Sequence, residues 1–158
     1  MTINIKNFLK DKTKLSKMGE FQNLKQIDGL EMSSISADLY GDGRDDLALF
    51  YFSKGANYAS LTTTNSITSE FIPWNNSSHK KIIKGLLVNT KNANTFTGKQ
   101  GKEGIDILAK NLSRILTIKE SKKEEGISET VKIKDIMFAS TGVIGETFPV
   151  EKINNGIQ

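Results

Sequence analysis

Apolar positions along this chain fall into several short runs and one long periodic stretch. From Leu24 to Tyr40 they partly alternate, at Leu30, Met32, Ile35, Ala37 and Leu39, which predicts one or two strands with a turn near Asp28-Gly29. Asp46 to Ser53, DLALFYFS, is aromatic and aliphatic and predicts a buried strand. Tyr58 to Thr64, YASLTTT, is β-prone, so Lys54-Gly55-Ala56-Asn57 reads as the connection of a hairpin. Ile82 to Asn89, IIKGLLVN, predicts another buried strand. Between about Lys99 and Ile118 the period changes. Ile105, Leu108, Ala109, Leu112, Ile115 and Leu116 make one helical stripe, with Lys102, Glu103, Lys110 and Arg114 away from it. The last apolar run, within Lys132 to Gly145, ends abruptly in Ser140-Thr141-Gly142 and then in Gly145, as a strand entering a glycine-rich turn would. Val150 to Ile153 looks like the start of a further helix.

The intervening stretches are polar. Residues 1–18 mix lysine with Ile3, Ile5, Phe8, Leu9 and Leu15 at loosely helical spacing and read as an N-terminal arm, followed by a domain over 19–158. GDGRDD, residues 41–46, is a turn. Its Asp42, Asp45 and Asp46 lack the alternating spacing and late glutamate of a calcium loop, so a solvated turn is expected there. FIPWNNSSHKK, residues 71–81, reads as a turn-rich connection, and its lone His79 as a solvated side chain. Residues 119–130, KESKKEEGISET, read as a charged surface loop. Strands followed by a helix after a strand give a mixed α and β class.

Composition narrows the function. The chain of 158 residues can bury a core, and 37% hydrophobic with 25% charged residues suits a globular protein. No run is long enough to span a bilayer, the N-terminus lacks a secretory signal's apolar core, and a cytoplasmic location is expected. With no cysteine, the chain has no disulfide, thiolate metal site or cysteine nucleophile. The net charge of +4 comes almost entirely from lysines scattered among acids, with Arg44 and Arg114 the two arginines. That is a solvated surface rather than a nucleic-acid-binding face. No phosphate-loop, dinucleotide or HExxH pattern is present, and no metal site is expected.

Two stretches carry candidate chemistry. Small residues at Ser140-Thr141-Gly142 let a hydroxyl and backbone N–H groups point into open space, where such donors can stabilise an oxyanion. An ordinary strand-to-helix turn with Ser and Thr as caps would have the same letters. Asn89 to Gly98, NTKNANTFTG, is a dense run of amides and hydroxyls after a strand. It can build local turns or orient a polar ligand. Thr62, Thr63, Thr64 and Asn65 are hydroxyl-rich and could line a site or a sheet face.

The order of these motifs resembles the N-terminal, α-chain part of the bifunctional ornithine acetyltransferase family (glutamate N-acetyltransferase). Asp46-Leu47-Ala48-Leu49-Phe50 stands where the family has DLALI, and Leu61-Thr62-Thr63-Thr64-Asn65 where it has a threonine-rich segment. Asn89 to Gly98 follows the family's asparagine-rich opening of a helix, and Ser140 to Glu146, STGVIGE, its final motif. The resemblance runs from about Gly19 to Ile157. Departures are Thr90-Lys91 in place of Ser-Gly and Phe96 in place of Cys.

The resemblance implies an α/β sandwich of β-sheets flanked by helical layers. It implies an autoproteolytic enzyme in which a new N-terminal threonine, on a β-chain, takes acetyl from N2-acetylornithine and passes it to glutamate in arginine biosynthesis. The α- and β-chains would pair and assemble as α2β2, with acetylornithine, ornithine and glutamate as ligands. No cofactor is implied, although acetyl-CoA serves some members as a donor. Thr141, through its hydroxyl, and Gly142, through its N–H, match the family's oxyanion hole. The nucleophile matches no threonine of this chain, which resembles a truncated α-chain, inactive alone and exposing apolar surface that a β-chain would cover. Two other readings are a related N-terminal-nucleophile amidohydrolase or aminopeptidase, and a non-catalytic α/β binding module.

Overall fold

The computed structural model describes residues 26–77, 82–122 and 130–158. The N-terminal arm, His79 and most of the charged segment after residue 122 lie outside the described residues. The elements run β1 (Leu30–Ile35), β2 (Leu47–Asn57), α1 (Phe71–Ser77), β3 (Ile82–Asn89), α2 (Gly98–Ser121), a 3-10 turn at Ile133–Asp135, β4 (Ile136–Ser140) and α3 (Val150–Gly156). The class is mixed α+β. The strands form one sheet in the order β1-β2-β3-β4. β1, β2 and β3 are antiparallel neighbours, and β4 lies parallel to β3 after the crossover through α2.

Strand alternation sorts the sheet into two faces. Leu47 and Tyr51 of β2, Leu87 of β3, and Ile136 and Phe138 of β4 pack with Ile105, Leu108, Leu112 and Leu116 of α2 in one buried cluster. The helical stripe read from the sequence, apart from Ile115, is therefore the core-facing side of α2. The residues of opposite phase, Met32, Phe50, Leu86 and Met137, are register partners of one another and take no part in that cluster. Met32 is 54% exposed there. Among the described residues no helix is long and apolar enough to cross a membrane.

The loop joining β1 to β2 is tied by a buried carboxylate. Asp46 is 3% exposed, and its two oxygens accept the N–H groups of Ala37 and Leu39, each at 2.7 Å. It closes the loop from the inside, whereas the sequence grouped it with a solvated turn. Replacing Asp46 with alanine removes the acceptor of both donors. An orphaned buried group costs about 1–3 kcal/mol, and Leu39 is only half-buried, so Asp46→Ala should lose roughly 2–4 kcal/mol of stability. An unchanged urea midpoint would show that the carboxylate does not hold the loop.

Two segments differ from the sequence reading. Lys54 to Asn57 is not a hairpin turn but the end of β2, which shifts register between Tyr51 and Ala56 and then pairs Ala56 with Ile83 and Asn57 with Ile82. Gly55, at φ +75, sits in that bulge. Because β1 and β3 occupy both edges of β2, Tyr58 to Thr64 has no edge to join and runs as irregular chain, exposed from Ala59 onward. β-propensity alone cannot make a strand without a partner. The other correction concerns Phe71 to Ser77, read as a connection and folded as α1. Pro73 falls in its first turn, where an N–H has no intrahelical acceptor to lose.

Helix α1 closes the free edge of β4. Trp74 Nε1 donates to the Ile136 carbonyl at 2.9 Å. The Asn75 carboxamide donates to the Phe138 carbonyl at 2.8 Å and accepts the Phe138 N–H at 3.1 Å. One side chain thus replaces the peptide of a neighbouring strand, which satisfies edge groups that otherwise invite pairing. At the far end of the core, Gly104 lets α2 meet the last segment closely: a Cβ there would lie 2.8 Å from Phe148 Cδ1 and 2.5 Å from Val150 Cγ2.

Candidate functional site

Beyond Ser140 the chain stops being a regular strand yet keeps pairing with the segment that follows β3. Thr141 N–H donates to the Asn89 carbonyl at 3.1 Å, and Val143 N–H to the Lys91 carbonyl at 2.8 Å. Ala93 N–H donates back to the Val143 carbonyl at 3.0 Å, and Gly145 N–H donates to the Thr95 carbonyl at 2.9 Å. The N–H groups of residues 141, 143 and 145 therefore point toward the asparagine loop. The N–H of Gly142 lies between them. It has no acceptor among the described residues. The Thr141 hydroxyl likewise has no partner among them, and both residues are exposed.

Gly142 is required by this geometry. Its φ is +134, and a Cβ would stand 2.2 Å from the Lys91 carbonyl carbon and 2.6 Å from Asn92 N. No side chain fits between the turn and the loop beneath it.

The amide-rich run is that loop. Lys91, Asn94, Phe96 and Gly98 all have positive φ, between +49 and +72, which folds the chain tightly before α2. Its three buried amide side chains are occupied by the protein itself. Asn89 Oδ1 accepts the Ser140 hydroxyl at 2.7 Å while its Nδ2 donates to the Asn92 carbonyl at 2.9 Å. Asn92 Nδ2 donates to the carbonyls of Glu146 and Thr147 at 3.1 and 3.2 Å. Asn94 Oδ1 accepts the Thr97 hydroxyl at 2.6 Å, and Asn94 Nδ2 donates to the Gly101 carbonyl at 3.3 Å. Of the two roles the sequence left open, these amides fill the local one: they brace the backbone of the turn.

A second brace was not visible in the sequence. The Gln100 carboxamide donates to the Phe148 carbonyl at 2.8 Å and accepts the Phe148 N–H at 3.1 Å, as Asn75 does at Phe138. The segment between Phe138 and Phe148 is therefore clamped at both ends, with the free donors at its middle. Nothing in the letters marks Asn75 or Gln100, because each acts on backbone far away in sequence. Around the turn, Lys91 Nζ lies 3.7 Å from Glu146 Oε2, and Phe96 and Ile144 are exposed at 67% and 61%.

Other candidate residues stand apart from this arrangement. Thr63 Oγ1 accepts the Asn65 N–H, and Asn65 Oδ1 accepts the Ile67 N–H, so the threonine-rich segment makes its own turns. Asp42, Asp45 and Asp46 do not converge. Asp42 pairs with Arg44, Asp45 accepts the Ser34 hydroxyl, and Asp46 faces inward. The hydrogen bond from Arg44 and its charge hold the exposed Asp42 carboxyl below its ordinary value.

A single mixed sheet with a helix-linked parallel pair defines the fold, and solved structures share that fold. The structure superposes on the arginine biosynthesis bifunctional protein ArgJ of Bacillus halodurans with TM-score 0.69 and 23% identity, covering 82% of this chain and 62% of that one. The ornithine acetyltransferase of Mycobacterium tuberculosis, complexed with ornithine, gives TM-score 0.71 and 21% identity, covering 82% and 64%. At sequence level, the ArgJ family profile matches residues 31–158. The chain belongs to the ArgJ family. It is 34% identical over 115 residues to the arginine biosynthesis bifunctional protein ArgJ of Oceanobacillus iheyensis, covering 72% of this chain and 25% of that protein. It is 33% identical over 133 residues to the protein of the same name from Prochlorococcus marinus, covering 81% and 28%. The chain thus spans about a quarter of the length of the curated relatives it matches.

Proposed function

We propose that this chain is the α-chain portion of an acetyltransferase that moves acetyl from N2-acetylornithine to glutamate, and that Thr141 and Gly142 form its oxyanion hole. One observation carries the reading: the Thr141 hydroxyl and the Gly142 N–H, adjacent in a clamped turn, are both free among the described residues. Family membership supports the reaction class, and the ornithine complex of the Mycobacterium tuberculosis protein supports an amino-acid ligand.

In this reading a threonine hydroxyl, at the N-terminus of a separate β-chain, attacks the acetyl carbonyl and gives up its proton to the chain's own amine. The carbonyl oxygen becomes an anion between the two donors. As the C–N bond breaks, ornithine leaves with the proton and an acetyl-enzyme remains. The glutamate amine then attacks the same carbonyl, the same donors hold the second oxyanion, and the threonine leaves with a proton. Donors fixed before reaction need no reorganisation as charge develops, which makes a rigid turn more effective than a mobile one. The sheet face carrying the exposed Met32 and the half-buried Phe50 and Leu86 is where the rest of the enzyme would pack.

The test is the native full-length protein given acetylornithine with and without glutamate, alongside its intact mass. The reading expects two chains, the second starting with threonine, and equal yields of ornithine and N-acetylglutamate. Acetate formed at the same rate without glutamate would instead indicate a hydrolase. A single polypeptide that releases no ornithine would remove the catalytic reading altogether.

A further inference from the structure

Asn92 is 2% exposed, and its carboxamide spans the two halves of the site. Oδ1 accepts the Asn94 N–H at 2.8 Å, inside the asparagine loop. Nδ2 donates to the carbonyls of Glu146 and Thr147, where the glycine turn leaves the site. Its backbone joins as well: the N–H donates to the Thr90 carbonyl at 2.9 Å, and its carbonyl accepts from Asn89 Nδ2. Asn92 pairs in parallel with Val143, one residue past Gly142.

These contacts set the direction of one particular bond. The Gly142 N–H belongs to the peptide between Thr141 and Gly142. Its plane is fixed by the Thr141 N–H on one side and the Val143 N–H on the other, both donated into residues 89–91. Those bonds hold only if the exit of the turn stays against the loop. Asn92 fastens it there at Glu146 and Thr147, and Gln100 holds Phe148 just beyond.

We infer that Asn92 is a positioning residue for acetyl transfer, holding the Gly142 N–H on the developing oxyanion without touching substrate. The inference rests on the oxyanion reading above. It predicts that loss of the Nδ2 donors weakens the transition state more than substrate binding. Displacements of about an ångström in catalytic groups cost up to roughly 100-fold in rate.

The experiment uses the full-length enzyme with Asn92→Asp, which keeps the Oδ1 acceptor and removes both donors, beside Thr141→Ala as the reference. Rates are taken per titrated nucleophile, so that misfolded protein does not count. Expected for Asn92→Asp is a kcat lower by about 10- to 100-fold with KM changed by less than roughly threefold. Amide exchange of Val143 and Gly145 should be faster while that of Leu87 stays as it was. If Thr141→Ala is as fast as wild type, the oxyanion reading is lost. If Thr141→Ala is slow and Asn92→Asp retains wild-type kcat, the positioning role is overturned and the oxyanion reading stands. Should Asn92→Asp not fold, the wild type still decides. Its Asn92 side-chain amide protons should exchange far more slowly than those of the exposed Asn65, and equal rates would overturn the inference.

Discussion

Gly142→Ala should melt well below wild type and, in the complete enzyme, lose most of its acetyl transfer. The reason is geometric. The added Cβ would overlap the backbone carbonyl of Lys91 at 2.3 Å, and backbone atoms cannot swing aside as a long side chain can. The φ of +134 adds strain that any L side chain must bear. Strained backbone of this kind costs about 1–3 kcal/mol. Relief requires the Lys91 carbonyl to withdraw, which breaks its bond to the Val143 N–H. With a cost near 3 kcal/mol, a domain of this size should lose roughly 6–12 °C in Tm. Differential scanning calorimetry of the chain measures it, and an unchanged Tm would mean that the turn is looser than described.

Thr141→Ala is expected to show the opposite pattern, full stability with little activity. Thr141 is exposed and its hydroxyl bonds to nothing among the described residues, so the fold does not depend on it. Surface substitutions of this type change stability by about 0.5 kcal/mol or less. Loss of one oxyanion donor slows kcat by about 100- to 1000-fold. A residue that matters for rate and not for folding is hard to explain as a helix cap or a packing contact. Together the two variants separate the shape of the turn, which Gly142 sets, from the oxyanion role proposed for Thr141.

Much of this arrangement was legible from letters alone, where local pattern and tertiary structure agree. Ile82–Asn89 and the stripe of α2 declare themselves because burial imposes a period, and periods survive in sequence. The glycine turn was legible because small residues after an apolar run are costly unless the backbone needs them. Its proposed role came from resemblance, since STGVIGE by itself also describes a capped turn. What could not be read depends on partners remote in the chain. Asn75 and Gln100 are ordinary amides until Phe138 and Phe148 are brought to them. Asp46 looks like the last acid of a solvated turn until Ala37 and Leu39 turn their N–H groups on it. Tyr58 to Thr64 has the composition of a strand, but β2 had no free edge to offer. The amides of Asn89, Asn92 and Asn94 suggested a ligand as readily as a scaffold, and only their hydrogen bonds decide between the two.

The most direct test of the central claim is the rate of acetyl-enzyme formation in a single turnover, compared between Thr141→Ser and Thr141→Ala in the complete enzyme. Serine keeps the hydroxyl and alanine removes it, while both preserve the turn. The account predicts that Thr141→Ser acetylates within about tenfold of wild type and that Thr141→Ala is slower by about 100-fold or more. Equal rates for the two variants would contradict it, because the hydroxyl would then have no part in holding the oxyanion.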